Sequence, residues 1–350
     1  MTGPTPAQSN DFAQRLLTWW KSHGRHDLPW QRNRSLYRVW VSEIMLQQTQ
    51  VGTVVDYFER FMQQFPDLPA LAAASLDDVL AMWSGLGYYA RARNLHRTAR
   101  ICLAEHDGDL PTTAAALNEL PGIGKSTAHA IIAQALDERA SILDGNVKRV
   151  LARHAGIEGW PGKTSVLQQL WVEAEARTPI DRAADYTQAI MDLGATVCTP
   201  RRPACMLCPV QGDCRARIDG RIESLPGKKP RRERPQRSAN WLIIQDDQDR
   251  LLLQRRPPSG IWGGLWCLPE GDDSPGTSDA AVPPPIDHEF THFSLHMRFS
   301  RARPETIPDL VADEQSQWFH PDNALRAGLP RPIRQVVEWL ADTISQSSKN

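Results

Sequence analysis

No apolar run in these 350 residues approaches the roughly 20 that a bilayer-spanning helix needs, so membrane-embedded function classes are not expected. The first ten residues are polar and hold no apolar export segment, which points to the reducing cytoplasm. An excess of one charge is also missing. Lys and Arg number 40 against 41 Asp and Glu, a formal net charge of −1, so any grip on a polyanion must come from local patches. No internal repeat is present, which sets aside solenoid architectures. What remains is ordinary: 41% hydrophobic and 23% charged residues describe a globular chain long enough for about two domains.

Cysteine is scarce, six in all, but four stand together. Cys198, Cys205, Cys208 and Cys214 form a C-x6-C-x2-C-x5-C run, short enough for one loop to wrap four thiolates around one centre. A zinc ribbon usually splits its ligands into two distant CxxC knuckles, and only the middle pair here has that spacing. A disulfide framework does not suit a long chain in a reducing compartment. The run therefore points to a 4Fe–4S cluster. Cys102 and Cys267 read as buried core thiols.

Periodicity divides the chain. Over residues 1–217 apolar positions recur every three or four residues, as in Phe12, Leu16, Leu17 and Trp20 behind an expected Asn10/Asp11 cap, and predict an all-α domain. Residues 218–237 are rich in Pro, Gly, Lys and Arg and read as a basic linker that buries no core. Residues 238–350 alternate as strands around Trp241–Gln245, Leu251–Gln254 and Phe290–Phe299 and close on a helix over Ile333–Ile344, a mixed α and β domain.

Three segments of the first domain carry chemistry. In Leu120–Ala128 (LPGIGKSTA), Gly122 and Gly124 permit a tight turn and close approach of an anion to backbone N–H groups. The helix opening near Lys125 adds its positive end, so a phosphate of a nucleic-acid backbone is a natural ligand. Asp144 stands at the mouth of a helix expected to be capped near Asn146, where it either caps or is presented from the core edge. Glu43 lies in a helix whose neighbours Val39, Trp40, Ile44, Met45 and Leu46 are apolar; desolvation there raises a carboxyl pKa and keeps a proton near pH 7. Gln47 follows one turn on, on the same face. Two carboxylates in unlike settings suit N-glycosidic cleavage, which must protonate a departing base and balance a cationic sugar.

The cysteine run, the LPGIG hairpin, the LDGNVKRVLAR and SEIMLQQTQV segments and the GLGYYARARNL stretch together resemble the MutY family of adenine DNA glycosylases over essentially the whole chain. The resemblance implies an all-α helix-hairpin-helix glycosylase domain with an iron–sulfur loop, followed by a Nudix-like α/β domain. It implies a nucleoid-associated, monomeric enzyme whose substrate is adenine opposite 8-oxoguanine or guanine in double-stranded DNA. The glutamate matching Glu43 protonates adenine, the aspartate matching Asp144 stabilises or captures the sugar cation, and Asn146 supports that site. Gln48 and Tyr88 wedge into the duplex, Gly122, Gly124, Lys125 and Ser126 belong to the DNA-binding hairpin, and Arg91 and Arg93 are expected either to contact phosphates or to be solvated charges. Bifunctional relatives such as endonuclease III carry a Schiff-base lysine where this chain has Ser126, so monofunctional hydrolysis is implied.

In the second domain no REx2EE-type glutamate cluster stands between Trp241 and Gln315, so metal-dependent Nudix hydrolysis is not expected. Resemblance assigns the domain to recognising 8-oxoguanine through Phe290, Thr291 and His292, with Thr291 where serine is usual. Two other functions compete: a glycosylase for damaged pyrimidines, opposed by Ser126 and the second domain, and a non-catalytic iron–sulfur DNA sensor, which would tolerate loss of Glu43 and Asp144.

Overall fold

A computed structural model describes residues 6–230, 234–271 and 281–347, with side chains described over 11–344 of those. Residues 1–5 and part of the basic linker, Arg231, Arg232 and Glu233, lie outside them. Among the described residues no helix is long and apolar enough to cross a membrane. The chain divides into two compact units: Met1–Ala72 with Arg97–Arg231, and Ala73–His96 with Arg232–Asn350. The division differs from the sequence boundaries, because the segment 73–96, helical in pattern, joins the C-terminal unit. Its side chains explain why: the Tyr89 hydroxyl donates to Leu329 O at 3.1 Å and Arg93 Nη1 donates to Gly263 O.

The first unit is helical. Its opening helix runs Pro6–His23, starting ahead of the expected cap, and buries Phe12, Leu16, Leu17 and Trp20 against Val147, Val150, Leu151, Tyr186 and Ile190. Helix Leu36–Leu46 is capped by Ser35, whose hydroxyl accepts from Arg38 N. It is apolar nearly all round, buries Val39, Trp40, Val41, Ile44 and Met45, and packs on helix Lys125–Leu136. Burying each such large side chain contributes about 1.5–3 kcal/mol. The segment expected to be a tether is partly folded in: Leu225 is buried, its carbonyl accepts from Arg153 Nε at 2.8 Å, and Gly227 N donates to Gly159 O.

The second unit holds two three-stranded sheets. Strands β1 (Gln236–Ile244), β5 (Ser294–Ala302) and β4 (Ile286–Glu289) form one, in the order β1-β5-β4, with β1 and β5 parallel and Trp241 opposite Phe299. Strands β3 (Trp266–Cys267), β2 (Leu251–Arg255) and β6 (Ser316–Phe319) form the other. Helix Arg331–Ser347 covers the unit with Ile333, Val336, Val337 and Leu340. The Phe290–Phe299 alternation is not one strand. Phe290 N donates to Phe293 O, a turn precedes β5, and Phe293 is buried whereas Phe290 is partly exposed.

Candidate active site

One cleft of about 410 Å³ in the first unit gathers residues from five segments, among them Arg25, Glu43, Gln47, Gln48, Ser126, Thr127, Asp144, Asn146 and Gln188. Glu43 is brought there by helix Leu36–Leu46, which buries seven of its eleven residues and turns Glu43 and Leu46 to the cleft. Its residue is partly open to the cleft but its carboxyl is enclosed, and burial first, then the Asp144 charge, pushes its pKa to about 7. Opposing that rise, Gln134 Nε2 donates to Glu43 Oε1 at 2.8 Å. Gln134 escaped the sequence reading, although a polar residue on the Ala128–Ile131–Ile132 face of its helix was the available signal. Gln47 lines the same cleft and reaches Thr127.

Asp144 fulfils both of its readings, since it caps helix Gly145–Ala155 and also faces the cleft. The cap is Asp144 itself rather than Asn146. Its Oδ1 accepts from Val147 N at 2.7 Å and its Oδ2 from Asn146 Nδ2 at 3.3 Å. Burial raises its pKa, while those donors and the Arg149 charge oppose the rise, so the contacts favour the ionised form. Arg149 ties this end of the site to the cysteine loop: Nη2 donates to Asn146 Oδ1 and Gly194 O, and Nε donates to Cys198 O, each at 2.7 Å. Gly194 sits in a π-helical turn over Leu193–Val197. A Cβ there would stand 2.6 Å from Asn146 Cβ, so only glycine admits this approach.

The remaining wall was not foreseen. Asp192 is fully buried and accepts from Trp20 Nε1, from Arg25 N, Nε and Nη2 and from Gln188 Nε2, all between 2.7 and 3.0 Å. This arrangement fixes Arg25 and Gln188 at the cleft, and buried Gln188 Oε1 accepts no hydrogen bond among the described residues.

Ser126 Oγ accepts from Leu143 N at 2.9 Å and lines the cleft, whereas Lys125 does not. The Lys125 ammonium lies 4.1 Å from the centre of the Trp171 ring and 3.7 Å from Glu175. The hairpin places Gly122 at φ 81° and opens helix Lys125–Leu136 with Gly124 and Lys125 exposed, so its first N–H groups have no side-chain cap. A Cβ at Gly124 would meet nothing within 4 Å, so open space rather than crowding surrounds this turn.

Cys198, Cys205, Cys208 and Cys214 line a second cavity beneath Arg153 and His154. Burial, and then its neighbouring cysteines, raise the Cys208 thiol to about 12, so four thiolates gathered here require compensating positive charge. Among the described residues no group of three His, Cys, Asp or Glu side chains is placed to hold a single metal ion, yet all four thiols face one space, as a polynuclear centre requires. Arg153 supports that space, with Nη1 3.4 Å from Cys198 Sγ and donating to Thr199 O at 2.7 Å. The residues fit a 4Fe–4S cluster.

In the second unit Tyr88 is 48% exposed on a left-handed backbone, φ 49°. Thr291 and His292 are exposed at the tip of the turn before β5, and the Phe290 ring stacks on Phe293 at 4.6 Å.

Residues 41–176 match the HhH-GPD superfamily base excision DNA repair protein model, residues 198–214 the iron-sulfur binding domain of endonuclease III, and residues 240–339 the NUDIX domain. The chain is 37% identical to an adenine DNA glycosylase of Buchnera aphidicola subsp. Acyrthosiphon pisum (strain APS) over 93% of this chain and 97% of that one. It is 41% identical to the Mus musculus adenine DNA glycosylase, covering 95% of this chain and 78% of the relative. Among solved structures, a thermostable thymine-DNA glycosylase aligns with TM-score 0.55 and 27% identity over 60% of this chain and 97% of that one. An endonuclease III in a non-covalent DNA complex shares the fold, with TM-score 0.52 over 62% of this chain and 98% of that one. The chain belongs to the adenine DNA glycosylase family, DNA N-glycosylases of base excision repair that carry a 4Fe–4S cluster.

Proposed function

We propose that this chain excises adenine mispaired with 8-oxoguanine or guanine from duplex DNA by hydrolysis alone. The observation that carries the reading is Glu43, held near pKa 7 in the cleft that also contains the cap carboxylate Asp144. At neutral pH such an acid keeps a substantial protonated fraction. Glu43 gives that proton to a ring nitrogen of the extruded adenine, and the C1′–N9 bonding electrons leave with the base. The sugar becomes an oxocarbenium ion, whose charge Asp144 balances from its cap position. Water then adds to C1′, and its proton returns to Glu43.

Among the described residues that line the cleft there is no lysine to attack C1′, since Ser126 stands there and Lys125 turns toward Trp171 and Glu175, so the product is an abasic site. The Gly122–Ser126 hairpin grips a backbone phosphate, Gln48 and Tyr88 fill the vacated stack, and Phe290, Thr291 and His292 read the oxidised purine. Cys198, Cys205, Cys208 and Cys214 would hold the cluster, which would supply cross-links that order their loop, while Arg149 and Arg153 join that loop to helix Gly145–Ala155. A duplex with adenine opposite 8-oxoguanine, incubated with the protein and then treated with hot alkali, tests the reading. Scission only after alkali is expected. Strands left intact by alkali refute it, and scission without alkali refutes the monofunctional part.

A further inference from the structure

The turn that presents Tyr88 is built from left-handed backbone: Gly85, Gly87 and Tyr88 have φ of 95°, 75° and 49°. Side chains other than glycine rarely adopt this conformation, so neighbouring groups must hold it for tyrosine. The sequence suggested that Arg91 meets phosphate. The structure instead buries Arg91 to 8% exposure under the turn. Its Nη2 donates to Leu86 O at 3.2 Å and Gly87 O at 3.1 Å. The same guanidinium lies 5.4 Å from the ring centres of both Trp83 and Tyr88, and Trp83 Nε1 adds a third hydrogen bond, to Gly87 O at 3.1 Å.

We propose that Arg91 is a positioning residue for base extrusion, one that holds the Tyr88 ring in its inserting orientation before DNA arrives. The proposal rests on reading Tyr88 as the wedge. A side chain driven into a base stack must offset the cost of unstacking, and a wedge still to be ordered would lose part of its insertion energy to that ordering. Arginine suits the task because one planar group can donate to two successive carbonyls while presenting a flat cationic face to two aromatic rings. Lysine keeps the charge but has no plane and no fork, and glutamine keeps a planar donor but no charge.

The test uses the full-length protein and a duplex carrying 2-aminopurine, a fluorescent adenine analogue, as the target opposite 8-oxoguanine, mixed by stopped flow. Arg91→Lys, Arg91→Gln, Tyr88→Ala and the double variant Tyr88→Ala/Arg91→Lys are compared with wild type. Both Arg91 variants are expected to bind duplex within about threefold of wild type but to extrude the target about tenfold more slowly. Their adenine excision should return to within about twofold of wild type opposite an abasic-site analogue, where the base leaves the stack without a wedge. The double variant should be no slower than Tyr88→Ala alone. Equal slowing on both duplexes would mark Arg91 as merely structural and overturn the proposal. Wild-type extrusion by both Arg91 variants with slow Tyr88→Ala refutes the positioning role and spares the wedge. Wild-type extrusion by Tyr88→Ala refutes the wedge itself, and the positioning role with it.

Discussion

Replacing Glu43 with glutamine should abolish excision and, above neutral pH, make the protein more stable. An ordinary glutamate in the unfolded chain titrates near 4.5, whereas Glu43 in the cleft titrates near 7. Ionising it in the folded state therefore costs about 1.4 kcal/mol for each tenfold change in its proton affinity, or about 3 kcal/mol in total. That is an upper bound, because one side of the residue meets the water of the cleft. The sign follows from the raised folded value. The stability associated with Glu43 is fully present below pH 4.5, is lost as pH rises, and is gone above about 7. Glutamine keeps the shape, still meets Gln134, and never ionises. Urea unfolding at pH 5 and pH 8 is the assay. Wild type and Glu43→Gln should agree at pH 5 within about 1 kcal/mol, and the variant should exceed wild type by about 1–3 kcal/mol at pH 8. Duplex affinity should be nearly unchanged in both. A variant equally destabilised at both pH values would refute the desolvated acid, and retained excision would remove Glu43 from the chemistry.

Gln134→Leu removes the donor that favours the ionised carboxylate, so single-turnover excision should persist to higher pH, its midpoint moving up by about one unit from near 7 while the plateau falls; a midpoint that stays or drops contradicts the role assigned to Gln134. Gly194→Ala drives a methyl into Asn146 and should cost about 1–3 kcal/mol in unfolding experiments, with excision slowed about tenfold or more at full occupancy of the folded state; an unaffected rate would show that the cap carboxylate does not depend on this contact. Cys208→Ser should lower bound iron, measured by metal analysis, together with thermal stability, whereas unchanged iron content would exclude Cys208 as a ligand. Removing residues beyond 238 should reduce the preference for adenine opposite 8-oxoguanine over adenine opposite guanine more than it reduces adenine removal itself, and an unchanged preference would sink the lesion-reading role of Phe290, Thr291 and His292. This last comparison is best read beside Thr291→Ala, because residues 73–96 pack with the deleted part and lose their cover.

The features legible in sequence are those whose chemistry is local. Four cysteines within seventeen residues define a ligand loop whatever surrounds it, and the glycine spacing of the hairpin with a helix behind it defines an open N-terminus. Glu43 was visible because its neighbours Val39, Trp40, Ile44, Met45 and Leu46 are apolar, and Asp144 because it opens a helix. Tertiary structure decided what depends on distant partners. Gln134 lies ninety-one residues from the carboxylate it orients, and Asp192 reaches back 167 residues to fix Arg25. The burial of Arg91 under the Tyr88 turn, the union of residues 73–96 with the C-terminal unit and the parallel pairing of β1 with β5 likewise leave no mark on local spacing. A ligand set can be written into one loop, but a pKa or a left-handed turn is set by which atoms replace water around it, and packing brings those atoms from far along the chain.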